Sequence, residues 1–340
     1  MATTRAGEVN PSMPDPAPAS SGSNHAVLES PPAGPLDVRA GLLAHDYLAD
    51  EGLATSVYLA VVLRRPLLLE GEAGVGKTEL AKALSRWTDA ELLRLQCYEG
   101  IDASQAVYEW DYSRQLLHLR AVESLGTPGR GDHEAGPAPD LQRVEDELYS
   151  ERFLVRRPLL AAIAPVKGGP PPVLLIDEVD RADDEFEAFL LEILSDFAVT
   201  VPELGTFRAE VPPLVVLTSN RTRDVHDALK RRCLYHWIEH PDFDHEVQIV
   251  TMRAPAVAEP LARQVAGAVE RLRAMGLYKP PGVAETIDWA EALAALGRRG
   301  LDERTVELTL GSVLKYREDA ERVRNAGVGD LVRAAVQRAG

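Results

Sequence analysis

The stretch "RRPLLLEGEAGVGKTELAKALSRW" constrains this chain more than any other. A short apolar run reads as a buried strand, a glycine-rich turn ends it, and a helix begins at once behind the turn. The turn, Gly71-Glu72-Ala73-Gly74-Val75-Gly76-Lys77-Thr78, has the spacing G-x-x-x-x-G-K-[ST] in full. Glycines at those positions let backbone N–H groups converge on phosphate oxygens. The helix N-terminus adds partial positive charge at the same point. In that arrangement Lys77 reaches the β- and γ-phosphates, Thr78 ligates Mg²⁺, and Glu79 follows on the first helical turn. A chance match in a glycine-containing turn would lack the strand before it and the helix after it.

Two more apolar runs end in polar residues. "PPVLLIDE" ends at Asp177 and Glu178. Ligands bind at the carboxyl ends of strands in open α/β sheets. Asp177 is therefore expected to hold Mg²⁺ through its water shell, and Glu178 to orient and deprotonate an attacking water. An acidic turn after a strand is common by itself; the phosphate loop tips the reading. "PLVVLTSN" ends at Asn220. If its strand neighbours "VLLIDE", the amide faces the γ-phosphate and the water; an Asn-initiated turn is the competing explanation. Behind Asn220 come Arg221, Arg223, Lys230, Arg231 and Arg232, in a chain whose net charge is -16. A surface loop would tolerate such a cluster, and a phosphate would require one.

The remaining segments supply an architecture. "LDVRAGLLAHDYLADEGLATSVYLAVVL" is helical with a break near Asp50. "ELLRLQC" and "LYHWIEH" read as strands and "DDEFEAFLLEILSD" as an amphipathic helix. "AVTVPELGTFRAEV" reads as a hairpin turning at Leu204-Gly205. "VYEWDYSRQLLHLR" reads as a hairpin or an interrupted helix, and "SERFLVRRPLLAAIA" as helical. Apolar strands alternating with helices argue for a parallel sheet covered on both faces. After Pro241 only helical patterns follow, with Leu261, Val265, Val269 and Leu272 on one stripe. Residues 1–35 are rich in Pro, Ser, Ala and Gly and are expected to form a disordered tail.

Composition narrows the function classes. With 53 acidic against 37 basic residues, bulk attraction to nucleic acid or to an anionic membrane is not expected. No apolar run approaches a membrane span, and the N-terminal stretch has no apolar core after its one arginine, unlike a signal peptide. Cys97 and Cys233 are the only cysteines, without CxxC or His/Cys ligand spacing, which fits a reducing cytoplasm. His118 and His133 have no ligand-spaced partners.

The phosphate loop, "LLIDE", the asparagine at the next strand end, the arginines after a short helix and the helical C-terminal region together resemble an AAA+ ATPase. Within that class the chain looks like the MoxR group. "RLQCYEGID", "ELGTFRAEVPPLVVLTSNRTRDVHDALKRRC" and "KPPGVAETIDWA" are similar to its CoxD-type subfamily, associated with maturing molybdenum hydroxylases such as carbon monoxide dehydrogenase. The resemblance implies a P-loop NTPase (AAA+) α/β core over residues 36–241, with hairpin inserts near 107–120 and 198–210, and an all-helical lid over 242–340. It implies ATP and Mg²⁺, a homo-oligomeric ring that is commonly hexameric, and an arginine inserted by the neighbour. Arg232 falls at that finger position, with Arg231 the runner-up; Arg181 is a further interface candidate. The implied activity is ATP-driven remodelling of a metalloenzyme client through a von Willebrand factor A-type partner. A nucleotide-switched binding module with slow turnover is the alternative. One departure stands out: where many members carry a sensor arginine at the start of a lid helix, this chain has Glu285, and Arg304 is a possible substitute. Trp110, Tyr112 and Phe207 are either gripping tips or packing residues; Tyr278 and Trp289 are expected in the lid core.

Overall fold

The computed structural model describes residues 31–126, 141–165 and 170–340. Residues 1–30 of the expected tail and residues 127–140, His133 among them, lie outside the described residues.

Two helices open the described chain, α1 (Pro35–Leu43) and α2 (Glu51–Leu63). The break between them ends at Asp50, whose carboxylate caps α2 by accepting the Leu53 N–H at 2.7 Å. There follow β1 (Leu67–Gly71), α3 (Lys77–Thr88), β2 (Leu92–Gln96), the one-turn α4 (Ala103–Ala106), β3 (Tyr108–Trp110), α5 (Tyr112–Gly126) and α6 (Leu141–Leu148). Next come β4 (Leu154–Arg156), α7 (Pro158–Ile163), β5 (Val173–Asp177), α8 (Asp184–Asp196), β6 (Ala198–Val201), β7 (Gly205–Arg208), β8 (Leu214–Ser219), α9 (Asp227–Arg232) and β9 (Leu234–Ile238).

Five strands form one parallel sheet in the order β2-β5-β8-β1-β9. Its three central strands are buried along their whole length, which is why they read as continuous apolar runs. Alternate side chains serve opposite faces. Leu68, Leu174, Ile176, Val215 and Leu217 join one core with Phe186 and Leu190 of α8. Leu67, Leu69, Val173, Leu175 and Val216 join the other with Leu42, Leu53, Leu80 and Leu84. The edge strands tolerate polar residues, Arg94 and Gln96 on β2 and Tyr235 and His236 on β9. Parallel order puts Gly71, Asp177 and Ser219 on one rim of the sheet.

The insert expected near 107–120 is not a hairpin. Only Tyr108–Trp110 is extended there, and it pairs antiparallel with Leu154–Arg156, far along the chain. Tyr112–Gly126 is helical. The same pairing overturns the single helix read over "SERFLVRRPLLAAIA". Pro158 opposes a helical conformation at Arg157, which is extended (φ -85°, ψ 171°), so α7 starts only at the proline. Trp110 is buried edge-on against Tyr149, a packing contact, whereas Tyr112 is exposed. Residues 198–208 do form a hairpin, β6 paired with β7.

Beyond β9 the regular elements among the described residues are all helices: α10 (Phe243–Arg253), α11 (Glu259–Arg273), α12 (Val283–Ala295), α13 (Glu303–Val313), α14 (Arg317–Ala326) and α15 (Val328–Ala339). They enclose their own core, with Leu261, Val265, Val269 and Leu272 buried together against Trp289 and Leu310. The Trp289 indole N–H donates to Thr309 Oγ1 at 2.8 Å, satisfying its one polar atom. Tyr278 is not in that core: it is exposed and meets Tyr316 edge-on. No helix among the described residues is long and apolar enough to cross a membrane.

Candidate functional site

The loop Gly71–Thr78 turns from β1 into α3 at the carboxyl rim. Gly74 and Gly76 hold φ of 81° and 97°, in the left-handed region that glycine adopts without a steric cost. At Gly71 a Cβ would lie 2.5 Å from the Ile238 carbonyl oxygen, so the close approach of β9 also demands glycine. Lys77 is buried and folds back over the loop, its Nζ donating to the Gly71 and Glu72 carbonyls at 2.7 and 2.6 Å. Burial pushes its pKa down to about 8, opposed by the carboxylates of Asp180, Asp177, Glu178 and Glu72.

Asp177 ends β5 beside that loop. Its Oδ1 accepts from Thr78 Oγ1 at 3.1 Å and from Thr218 Oγ1 at 2.6 Å. Its Oδ2 accepts from Arg94 Nε at 3.0 Å and Nη2 at 2.5 Å. Thr78 and Asp177 are thus adjacent hard oxygen donors, the chemistry that suits Mg²⁺. They are too few for a cage of their own: no set of three or more His, Cys, Asp or Glu among the described residues could hold a metal ion. This fits an ion whose remaining ligands are substrate phosphates and water.

Glu178 follows in a strained left-handed conformation, φ 55° and ψ 50°. Three side chains hold its carboxylate. Asn220 Nδ2 donates to Oε1 at 3.3 Å, Gln96 Nε2 donates to Oε2 at 3.0 Å, and Arg181 Nε lies 3.0 Å from Oε2. The Glu178 N–H donates to Thr218 Oγ1 at 2.9 Å, so one hydroxyl braces both acids. Asp180, buried, accepts the backbone N–H groups of Asn220 and Thr222 at 3.3 and 2.8 Å and fixes the exit of β8. Sequence reasoning missed Arg94, Gln96, Thr218 and Asp180. For Arg94, Gln96 and Thr218, polarity inside an apolar run was a usable signal; Asp180, in an acidic turn, gave none.

Lys77, Thr78, Arg94, Asp177, Glu178, Thr218 and Asn220 line a cleft of about 410 Å³. Asp46, Tyr47 and Leu48 close one side of it, and Ile249, Met252, Arg253, Val283, Ala284 and Ile287 of the helical region close another. The Gly74 carbonyl accepts N–H bonds from Val283 and Ala284 at 3.0 and 3.4 Å, so the phosphate loop caps helix α12. Glu285 is spent in that cap, its Oε2 accepting the Gly282 N–H at 3.0 Å. Arg304 is exposed and does not line the cleft, so it does not replace a sensor arginine; the cation from the helical region that lines the cleft is Arg253. Arg253 Nη1 lies 2.8 Å from Glu79 Oε1. Burial would raise the Glu79 carboxyl, but hydrogen bonds from Arg253, Arg86 and Lys82 outweigh it and hold the group below the usual carboxylate range.

The basic cluster separates into two kinds. Arg221 lies 3.9 Å and Lys230 3.6 Å from the buried Glu70. Arg223 pairs with the buried Glu187 and with Asp184. Arg231 and Arg232 are exposed at the end of α9, with no ion pair to any described residue. Their carbonyls are held instead, by Arg65 Nη2 and Nε at 2.7 and 3.1 Å. Two residues after Arg232, Leu234 is in register with Leu67, at the opposite rim of the sheet from Gly71. Both arginines therefore sit away from the cleft of their own chain.

Residues 66–233 match the family described as an AAA domain of the dynein-related subfamily. Together with the parallel five-stranded sheet and the helical region behind it, this makes the fold that of an AAA+ P-loop core with a helical lid. No curated protein matches the chain. Among solved structures, a RuvB variant from Thermotoga maritima is 14% identical, covering 82% of this chain and 69% of its own, with a TM-score of 0.38. A likeness that distant carries no structural argument.

Proposed function

We propose that this AAA+ chain is a Mg²⁺-dependent ATP hydrolase that works as a ring, commonly hexameric, and remodels a partner protein during maturation of a metalloenzyme. One observation carries the hydrolytic reading: Glu178 stands beside the phosphate loop, its carboxylate aimed by Asn220 and Gln96. Lys77 supplies a buried ammonium for the terminal phosphates. Its present acceptors are two neutral loop carbonyls, so a phosphate oxygen that takes their place gives the buried ammonium a counter-charge. Thr78 and Asp177 are the residues that would hold Mg²⁺, which when bound neutralises charge on the β- and γ-phosphates. Glu178 takes the proton of the attacking water, and Asn220 keeps carboxylate and water in line.

Ring formation is supported by the placement of Arg231 and Arg232. A guanidinium stays charged and grips phosphate bidentately. Here two of them point to solvent on the rim away from their own cleft, where a neighbouring copy can receive them. Arg232 is the finger by resemblance and Arg231 the next candidate. The metalloenzyme client, of molybdenum hydroxylase type, and the von Willebrand factor A-type partner rest on resemblance to the MoxR group and its CoxD-type members. A cytoplasmic setting accords with two free, buried cysteines.

ATP turnover and nucleotide affinity in three variants test the reading. Lys77→Ala should lose nucleotide binding. Glu178→Gln should bind ATP and fail to cleave it. Arg232→Ala should bind ATP normally and lose turnover in the assembled protein. Wild-type turnover in Glu178→Gln would overturn the hydrolytic assignment. Tight ATP binding with negligible turnover, unstimulated by any client, would favour a nucleotide-switched binding module instead.

A further inference from the structure

Glu70 ends the apolar run "PLLLE" and immediately precedes Gly71. Its side chain is only 3% exposed, and its Oε1 has no hydrogen-bond partner among the described residues. Such a group is costly in a central strand, where an apolar side chain would pack without penalty. What surrounds it is specific. Tyr235 on β9 donates its hydroxyl to Oε2 at 3.1 Å. Arg221 Nε lies 3.9 Å from Oε2, and Lys230 Nζ lies 3.6 Å from Oε1. Each cation belongs to a segment with another task. Arg221 follows Asn220 directly and is held in a left-handed conformation at φ 57°, its guanidinium 5.8 Å from the Trp237 ring centre. Lys230 sits in the last turn of α9, directly before Arg231 and Arg232. One buried carboxylate thus joins the start of the phosphate loop, the residue behind Asn220 and the helix that carries the two exposed arginines.

We propose that Glu70 is a positioning residue that ties the cleft of one subunit to the arginines this subunit lends to the next. The inference rests on the reading that Arg232 acts on a neighbouring subunit. While the Lys230 ammonium stays paired with Glu70 it restrains the last turn of α9, and with it Arg231 and Arg232. Glu70 in turn is one peptide unit from the loop that holds the phosphates. Loss of the pair leaves the cleft intact in its own subunit and misplaces the guanidinium offered to the neighbour.

Glu70→Gln keeps the shape and removes the charge. It should bind ATP within about twofold of wild type and lose about tenfold to a hundredfold in turnover, the scale of a misplaced catalytic group. Mixed rings locate the defect. Glu178→Gln subunits cannot hydrolyse but lend normal arginines; Glu70→Gln subunits keep a competent cleft. Mixed one to one before ATP is added, the two should give several times the turnover of Glu70→Gln alone, per Glu70→Gln subunit. Arg232→Ala mixed with Glu178→Gln is the control and should recover in the same way. Recovery in the control but not in the Glu70→Gln mixture overturns the role of Glu70 while leaving the interfacial arginine in place. Failure of the control overturns the interfacial reading and this inference with it. Lys230→Met, at a partly exposed position, carries the same test if Glu70→Gln does not fold; normal turnover in Lys230→Met would sink the link.

Discussion

Lys77 shows how one buried charge becomes a measurable pH dependence. Burial takes its pKa down to about 8 against the pull of four nearby carboxylates. A phosphate beside it favours the ammonium and raises the value again. Above pH 8 the free protein has lost part of that proton, so ATP binding must take one up. Affinity should be flat below about pH 7 and fall by up to about tenfold per unit above pH 8. Calorimetry of ATP binding to the wild type in buffers of different ionisation enthalpy should show proton uptake at pH 8.5 that fades towards pH 7; no uptake at pH 8.5 would mean Lys77 stays fully charged. Cys97 and Cys233 make the opposite case. Burial pushes both thiols up to about 12, for Cys97 with the help of Asp177 and other acids. Neither should react with a maleimide at pH 8 in the folded protein, and both should react in guanidinium, as counted by mass spectrometry.

At the scale of elements, the junction of the phosphate loop with helix α12 is the sharpest target. Gly74 holds φ 81°, and its carbonyl accepts the first two amides of that helix. A Cβ on Gly74 would lie 3.0 Å from Glu285 Oε2 and 3.1 Å from the Gly282 Cα. Gly74→Ala should therefore cost about 1–3 kcal/mol of strain. It should weaken ATP binding and speed proteolysis between β9 and α12; unchanged affinity and protease resistance would show that the junction is slack. The same scale shows what patterning can and cannot reveal. The central strands were plain because both faces of the sheet are buried, so they are apolar up to the polar residues at their carboxyl ends. β3 and β4 were hidden. A three-residue strand has no period to detect, and its partner comes from a distant part of the chain.

The whole molecule is where its sparest cations matter. Among the described residues, Arg231 and Arg232 have no carboxylate to answer. If they complete a neighbour's cleft, specific ATPase activity should rise with protein concentration until the ring is assembled. Arg232→Ala should then lose about 10³-fold or more in turnover with ATP affinity and assembly unchanged. Activity independent of concentration down to the nanomolar range would argue against shared sites.

The phosphate loop and the acids at the end of β5 were legible from sequence because their chemistry is local: a few consecutive backbone amides and side chains make the motif, wherever the rest of the chain goes. Which arginines remain free was not legible. Arg221, Arg223 and Lys230 look like Arg231 and Arg232 until Glu70 and Glu187 arrive from other elements to pair with them. A buried carboxylate chooses its cation by distance in space, and only the folded chain sets that distance.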